Sequence, residues 1–268
     1  MRRLSVGDSQ FNVFERGRGQ AVVFIHGFPL NHAMWMRQLD ELAETTHLIA
    51  PDLRGFGGST ITDGTVTMAQ MADDLAGILD GLNLRDPVCL CGLSMGGYVA
   101  FEFLRRHRER VRSLILCDTR SVADTPEAAA GRRQLADRVL TEGSGIVAEA
   151  MLPKLLGPNT AKAQPLVAEA MREMIVSTDP RGIAAALRGM AERADSADLL
   201  PNIKLPTLVL VGHDDAISPP GEMRKLAESI PQAQFTIVPD AGHMSPLENS
   251  AFVNRMIAAF LANELPAR

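Results

Sequence analysis

The sequence predicts an α/β protein, a mostly parallel central sheet flanked by helices and interrupted once by a purely helical unit. Three observations carry this. Runs rich in Val, Ile and Leu recur as continuous apolar stretches rather than alternating ones, the pattern of strands covered on both faces. Helical periodicities lie between most of these runs. From Cys117 to Leu205 no strand pattern occurs, and a structureless loop of that length does not fit a compact domain, so the stretch reads as inserted helices.

The elements follow in order. "LSVGDSQFNVFERG", from Leu4, reads as an antiparallel hairpin at a sheet edge. The strand runs are "AVVFI" from Ala21, "HLIA" from His47, "VCLC" from Val88, "SLILC" from Ser113, "TLVLV" from Thr207 and "FTIV" from Phe235. "TMAQMADDLAGILDGL" opens with a Thr-x-x-Gln capping box at Thr67 and continues with apolar residues at helical spacing. The inserted helices are "PEAAAGRRQLADRVL" from Pro126, "GIVAEAMLPKLL" from Gly145, "KAQPLVAEAMREMI" from Lys162 and "PRGIAAALRGMAERA" from Pro180. "SAFVNRMIAAFLANEL", from Ser250, reads as a final helix.

A chain of 268 residues is long enough for one of the larger α/β domains with an insertion. Its 27 Lys and Arg against 32 Asp and Glu give a formal charge of -5, with no basic stripe, which argues against a nucleic-acid partner. Gly7, Asp8 and Glu15 interrupt any secretory signal pattern, and no run approaches the roughly 20 apolar residues that span a bilayer. The expectation is a soluble cytoplasmic protein with no membrane partner, as a monomer or homodimer. Cys89, Cys91 and Cys117 all fall in strand-like runs and read as buried thiols. No second Cys or His pair stands at metal-ligand spacing, so neither a metal nor a cofactor is expected.

One stretch asks for a chemical explanation. Gly92, Leu93, Ser94, Met95 and Gly96 form G-x-S-x-G between the strand "VCLC" and the helical "YVAFEFLRRH". A serine hydroxyl is a poor nucleophile on its own and must project toward a base. A sharp strand-to-helix turn projects it, strains its backbone and leaves no room for flanking side chains, hence the glycines. Serine also caps ordinary helices, but the preceding strand and the additional Gly97 favour the nucleophile.

Among the six histidines, His32 and His107 lie in helical patterns among polar neighbours and read as solvated. His47 starts a strand, and His213 sits beside two aspartates, so each reads as structural. His243, in "PDAGHMSPLE" after the last strand, is placed where a ring reaches back over the carboxyl edge of the sheet, and it is the candidate base. A carboxylate should hold that imidazole in the right tautomer. "LVLVGHDDAISPP" offers Asp214 and Asp215 at the same edge, and position alone does not choose between them.

With these residues in place the chain resembles the α/β-hydrolase superfamily, over nearly its whole length. The motifs are "HGFPL" from His26, "DLRGFGGS" from Asp52, "GLSMGG" from Gly92, "GHDDAISP" from Gly212 and "AGHMSPLE" from Ala241. The resemblance implies the α/β-hydrolase fold and a catalytic order Ser94, Asp215, His243, with Gly212, Ile217 and Pro219 framing the acid. Some relatives carry the acid one strand earlier, here Asp118, which then reads as a turn residue. It further implies an oxyanion hole made by the backbone NH groups of Phe28 and Met95, with His26 structural. Residues 120–199 would be a helical cap over a core of 1–119 and 200–268, with Met151, Leu155, Met171, Met174 and Met190 as candidates to line an apolar pocket.

Ser94 separates the chain from dehalogenase and epoxide-hydrolase relatives, which carry Asp at that position. It resembles small carboxylesterases, 3-oxoadipate enol-lactonases and cofactor-free haloperoxidase-type perhydrolases. Pro29 is similar to the perhydrolase-type members, in which it reshapes the backbone beside the oxyanion site. The expected function is therefore a serine carboxylesterase acting on small esters or lactones, without cofactor or metal. Perhydrolase or enol-lactonase activity is the alternative, and a ligand-sensing signalling protein on the same fold is the alternative from another class.

Overall fold

A computed structural model of the chain describes residues 1–263. The chain starts with an antiparallel hairpin, β1 (Arg2–Val6) and β2 (Ser9–Arg16), then β3 (Gln20–Ile25), α1 (Met36–Glu41), β4 (Thr46–Pro51), α2 (Met68–Gly81), β5 (Val88–Leu93), α3 (Met95–Arg106) and β6 (Val111–Cys117). Five helices follow without a strand: α4 (Pro126–Glu142), α5 (Gly145–Leu155), α6 (Pro158–Ala163), α7 (Pro165–Ser177) and α8 (Pro180–Ala191). The alternation then resumes with β7 (Thr207–Gly212), α9 (Pro220–Glu228), β8 (Ala233–Val238), α10 (Ser245–Glu248) and α11 (Ser250–Asn263). Glu264 and Leu265, which end the last helical pattern of the sequence, lie outside the described residues.

The strands form one sheet in the order β1-β2-β4-β3-β5-β6-β7-β8. β2 is antiparallel to both its neighbours and every other ladder from β4 to β8 is parallel. This is the predicted α/β-hydrolase architecture. All residues of β5 and of β7 are buried, as continuous apolar runs covered on both faces require, whereas the edge strand β8 is mostly half-exposed. Cys89, Cys91 and Cys117 are buried thiols on neighbouring strands, and burial pushes the Cys91 thiol up. Among the described residues no helix is long and apolar enough to cross a membrane.

Two local departures from the sequence reading have simple causes. The single helix expected over "KAQPLVAEAMREMI" is split into α6 and α7, because Pro165 cannot donate to a helix running through it and instead occupies the first turn of a new one. At Thr67 only half the capping box forms, with Thr67 Oγ1 accepting the Gln70 N–H at 3.1 Å.

The helical insertion is seated on the core through α8. Val66 N donates to Ala185 O at 3.1 Å, and the backbone of Gly182 packs directly on Gly55 so closely that no Cβ fits between them. At the insertion's other end Arg120 reaches Glu222 of α9 in a bidentate pair at 2.6 and 2.7 Å. Met171 and Met190 are fully buried in the packed interior and read as core, while Met151 and Met174 are partly buried.

Candidate active site

The parallel ladders set the carboxyl ends of β3, β5, β6 and β7 side by side, with Ile25 paired to Gly92, and Leu93 to Cys117. The candidate residues lie just past the ends of these strands or, for His243, past the end of the neighbouring β8, where an open α/β sheet exposes its loops.

Ser94 occupies the corner between β5 and α3 at φ 54 and ψ -113, a backbone conformation that L-residues rarely adopt. Tight packing enforces it. A Cβ on Gly92 would meet the backbone of Gly96, and one on Gly96 would meet the Ile25 carbonyl, so both neighbours must be glycine. Ser94 N donates to Cys117 O at 3.0 Å, and the Thr119 hydroxyl donates to Ser94 O at 2.7 Å. Ser94 is half-buried, so its hydroxyl remains reachable.

His243 is buried on the loop between β8 and α10. Its Nε2 lies 2.9 Å from Ser94 Oγ, and its Nδ1 lies 2.9 Å from Asp215 Oδ2. The other carboxylate oxygen, Asp215 Oδ1, accepts the N–H groups of Ile217 at 2.8 Å and Ser218 at 2.9 Å. Asp215 therefore has one oxygen fixed by backbone donors and the other turned to the imidazole. With a carboxylate accepting at Nδ1, the proton sits there, and Nε2 is left to accept from the serine.

The other candidates are placed elsewhere. Asp214 turns to the exposed ring of His213 at 2.7 Å and does not reach His243. His107 bonds Asp73, and His47 bonds Glu15, both at 2.8 Å. His32 departs from its solvated reading, because its Nδ1 lies 2.6 Å from the buried carboxylate of Asp52. Asp118 does lie on the bend directly after β6, as expected, but it does more than turn the chain. It is fully buried at φ 47, its Oδ1 accepts Gly212 N at 2.8 Å, and its Oδ2 lies 2.5 Å from Ser245 Oγ. Burial, followed by the nearby charge of Asp215, pushes its carboxyl well above the ordinary range.

Phe28 and Met95 follow β3 and Ser94 respectively, and both are buried. The loop carrying Phe28 is held from behind by His26. Leu53 N donates to His26 Nε2 at 3.0 Å, which leaves the ring proton on Nδ1 to donate to Gly27 O, also at 3.0 Å. Leu30 N donates to the same carbonyl at 3.0 Å. Desolvation lowers the His26 pKa to about 4, so the ring is neutral near pH 7. Beneath it, burial works against ionisation of Asp52, but hydrogen bonds from the His32 and Asn12 side chains and the Gly58 and His32 amides outweigh it and bring that carboxyl to about 2.

This buried network predicts an acid-sensitive fold. Between the ordinary histidine value of 6.5 and the folded value of about 4, the unfolded chain binds one more proton at His26 than the folded chain does. The contribution is full above 6.5 and is lost as pH falls toward 4, by roughly 3 kcal/mol at most. Asp52 acts lower down, stabilising above its ordinary value of 3.8 and losing that contribution as pH falls through about 2. Urea melts followed by fluorescence of Trp35, the single tryptophan, should give, between about pH 4 and pH 6.5, a dependence of stability on pH that is steeper by about one proton in the parent than in His26→Gln. The comparison cancels the opposing contribution of Asp118, whose raised carboxyl is common to both proteins. An equal slope in both proteins would contradict the assignment.

The profile of the alpha/beta hydrolase fold family matches residues 20–250. The chain belongs to that family. A thermophilic esterase from Thermogutta terrifontis, solved with malate bound, is 48% identical with a TM-score of 0.96, over 98% of this chain and 99% of that one. The enol-lactonase from Burkholderia xenovorans LB400 is 28% identical with a TM-score of 0.90, over 97% and 100%. The AB hydrolase superfamily protein YisY of Bacillus subtilis is 31% identical over 91% of this chain and 92% of its own length. The chain is thus an α/β hydrolase with esterase-like neighbours.

Sequence reasoning left three supporting residues of this hydrolase without a role, Thr119, Asp52 and Glu248, and gave Asp118 only that of a turn. All lie inside the quoted motifs or directly after Cys117, the last residue of β6. The missing signal is long-range, since each acts by bonding the backbone of a loop distant in sequence.

Proposed function

We propose that the protein is a serine carboxylesterase that hydrolyses small esters or lactones through an acyl-enzyme. The observation that carries this reading is the unbroken chain Ser94 Oγ, His243 Nε2, His243 Nδ1, Asp215 Oδ2, with 2.9 Å at each of its two hydrogen bonds, set on a strained corner. Such strain persists only where the surroundings over-determine it, and a half-buried hydroxyl aimed at an imidazole is what it achieves here.

In this mechanism Ser94 Oγ attacks the carbonyl carbon as its proton passes to His243 Nε2, and the imidazolium is stabilised by Asp215. Negative charge develops on the carbonyl oxygen, where the NH groups of Phe28 and Met95 receive it, the latter at the N-terminus of α3. His243 returns the proton to the leaving alcohol, then takes one from the water that attacks the acyl carbon and gives it to Ser94 Oγ as the bond to the acyl carbon breaks and the acid leaves. For a lactone the leaving alcohol remains tethered to the acyl group, so the first step opens the ring.

Met151, Leu152 and Met174 of the inserted helices are partly buried against the hydrophobic cluster, and this apolar character supports a largely apolar acyl group, whose small size is part of the proposal. p-Nitrophenyl esters of increasing acyl length, assayed beside a lactone series and beside acetate with hydrogen peroxide, test both reaction and size. The expected result is highest kcat/KM on short acyl chains. A preference for long chains would remove the size claim, and peroxide-dependent halide oxidation exceeding ester hydrolysis would replace the reaction by peracid formation. A stoichiometric adduct with negligible steady-state rate would support a ligand sensor instead.

A further inference from the structure

Glu248 ends α10 and is 5% exposed, and its charge is met by backbone amides. Its Oε1 accepts Gly242 N at 2.9 Å and Met244 N at 3.1 Å, the amides on either side of His243. Its Oε2 accepts Gly157 N at 2.8 Å, which belongs to the helical insertion just after α5. One carboxylate thus holds the histidine loop with one oxygen and the insertion with the other. Burying a carboxylate is costly unless hydrogen bonds replace its water, and charge-assisted bonds of this kind are the stronger sort.

The surrounding contacts run along the same seam. Met244 N also approaches Leu155 O at 3.2 Å, and Gln164 Nε2 donates to Glu248 O at 3.1 Å. Gly157 and Gly242 lie backbone to backbone, so that a Cβ on Gly157 would stand 3.0 Å from Gly242 N and 3.2 Å from Glu248 Oε2. The insertion therefore rests on the segment that carries the base and shares its anchoring oxygens.

We propose that Glu248 is a positioning residue that couples the seating of the helical insertion to the alignment of His243. Its kinetic consequences rest on the esterase reading; its mechanical ones do not. When the insertion is seated, both Glu248 oxygens are satisfied and the amides flanking His243 are fixed. When it lifts, Gly157 leaves, and with it go the Leu155 and Gln164 contacts that brace the same loop.

Glu248→Gln in the full-length chain separates the two arms. A carboxamide has one acceptor oxygen, which two donors at Gly242 and Met244 claim, leaving its NH2 against the Gly157 N–H. Exchange of the Gly157 amide should accelerate about tenfold, as loss of one hydrogen bond implies. Gly242 and Met244 keep an acceptor but lose its charge, so their faster exchange counts toward coupling where Gly157→Ala, which leaves the carboxylate intact, produces it too. Coupling further predicts that kcat for a short p-nitrophenyl ester falls by roughly three- to tenfold with KM within about twofold. Gly157→Ala, whose φ of -63 accepts a side chain, wedges the same contact with Glu248 intact and should give the same pattern if the first variant does not fold. Faster exchange at Gly157 alone, with the histidine loop and kcat unchanged, would overturn the proposal, as would no change at all. Exchange needs no substrate, so a chain that hydrolysed no ester would sink the esterase reading while the amides of Gly242 and Met244 still decided the coupling.

Discussion

Ser94→Ala is expected to lower turnover of a short-chain p-nitrophenyl ester by roughly 10³-fold or more, because the covalent step disappears while binding and the oxyanion donors remain. The fold should not suffer. Alanine inherits the φ of 54 that serine adopts, and the hydroxyl lost has only His243 Nε2 as its recorded side-chain partner among the described residues. Ser94→Gly should be equally inactive yet more stable by about 1 kcal/mol, since glycine takes that backbone conformation without strain. Steady-state assays with thermal melts of all three proteins check both halves. Substantial turnover by the alanine variant, or a glycine variant less stable than the parent, would contradict the strained-nucleophile account.

Asp215→Asn is the second large effect, and its size follows from counting donors. Two backbone N–H groups, from Ile217 and Ser218, already point at Oδ1. An asparagine will present its one carbonyl oxygen to them and turn its NH2 toward His243 Nδ1. The ring must then carry its proton on Nε2, where it cannot accept one from Ser94. A loss of about 10²- to 10⁴-fold in kcat is expected, with KM little changed. Asp214→Asn serves as the control, because Asp214 only pairs the exposed His213, and its activity should stay within about twofold. Equal losses in the two variants would reassign the acid.

The fold was legible because continuous apolar runs are forced by burial on both faces, and β5 and β7 are indeed buried at every residue. The helical insertion was legible for the complementary reason, the absence of any such run. Pro165 was visible, but its effect was not read, and the split between α6 and α7 is the local veto of a ring without an N–H. The candidate site was legible where a side chain carries the chemistry, as at Ser94 and His243. The choice between Asp214 and Asp215 needed the family frame, since neighbouring residues on a turn differ only in direction. Backbone donors, such as the NH groups of Phe28 and Met95 proposed for the oxyanion, leave no mark on composition at all. His32 was misjudged, and the buried bonding of Asp118 was missed although its place on a turn was read, because their partners, Asp52 and the Gly212 amide, lie far along the chain.

In hydrolysis through an acyl-enzyme, Ser94 Oγ becomes covalently acylated during turnover. Rapid-quench mixing with a short p-nitrophenyl ester, followed by proteolysis and mass spectrometry of the peptide containing residues 88–105, measures this directly. The account predicts an acyl mass on Ser94 that appears with the first equivalent of p-nitrophenol and is absent from the alanine variant. Release of p-nitrophenol over many turnovers with that peptide unmodified at every quench time, or with the acyl group on another residue, would contradict it.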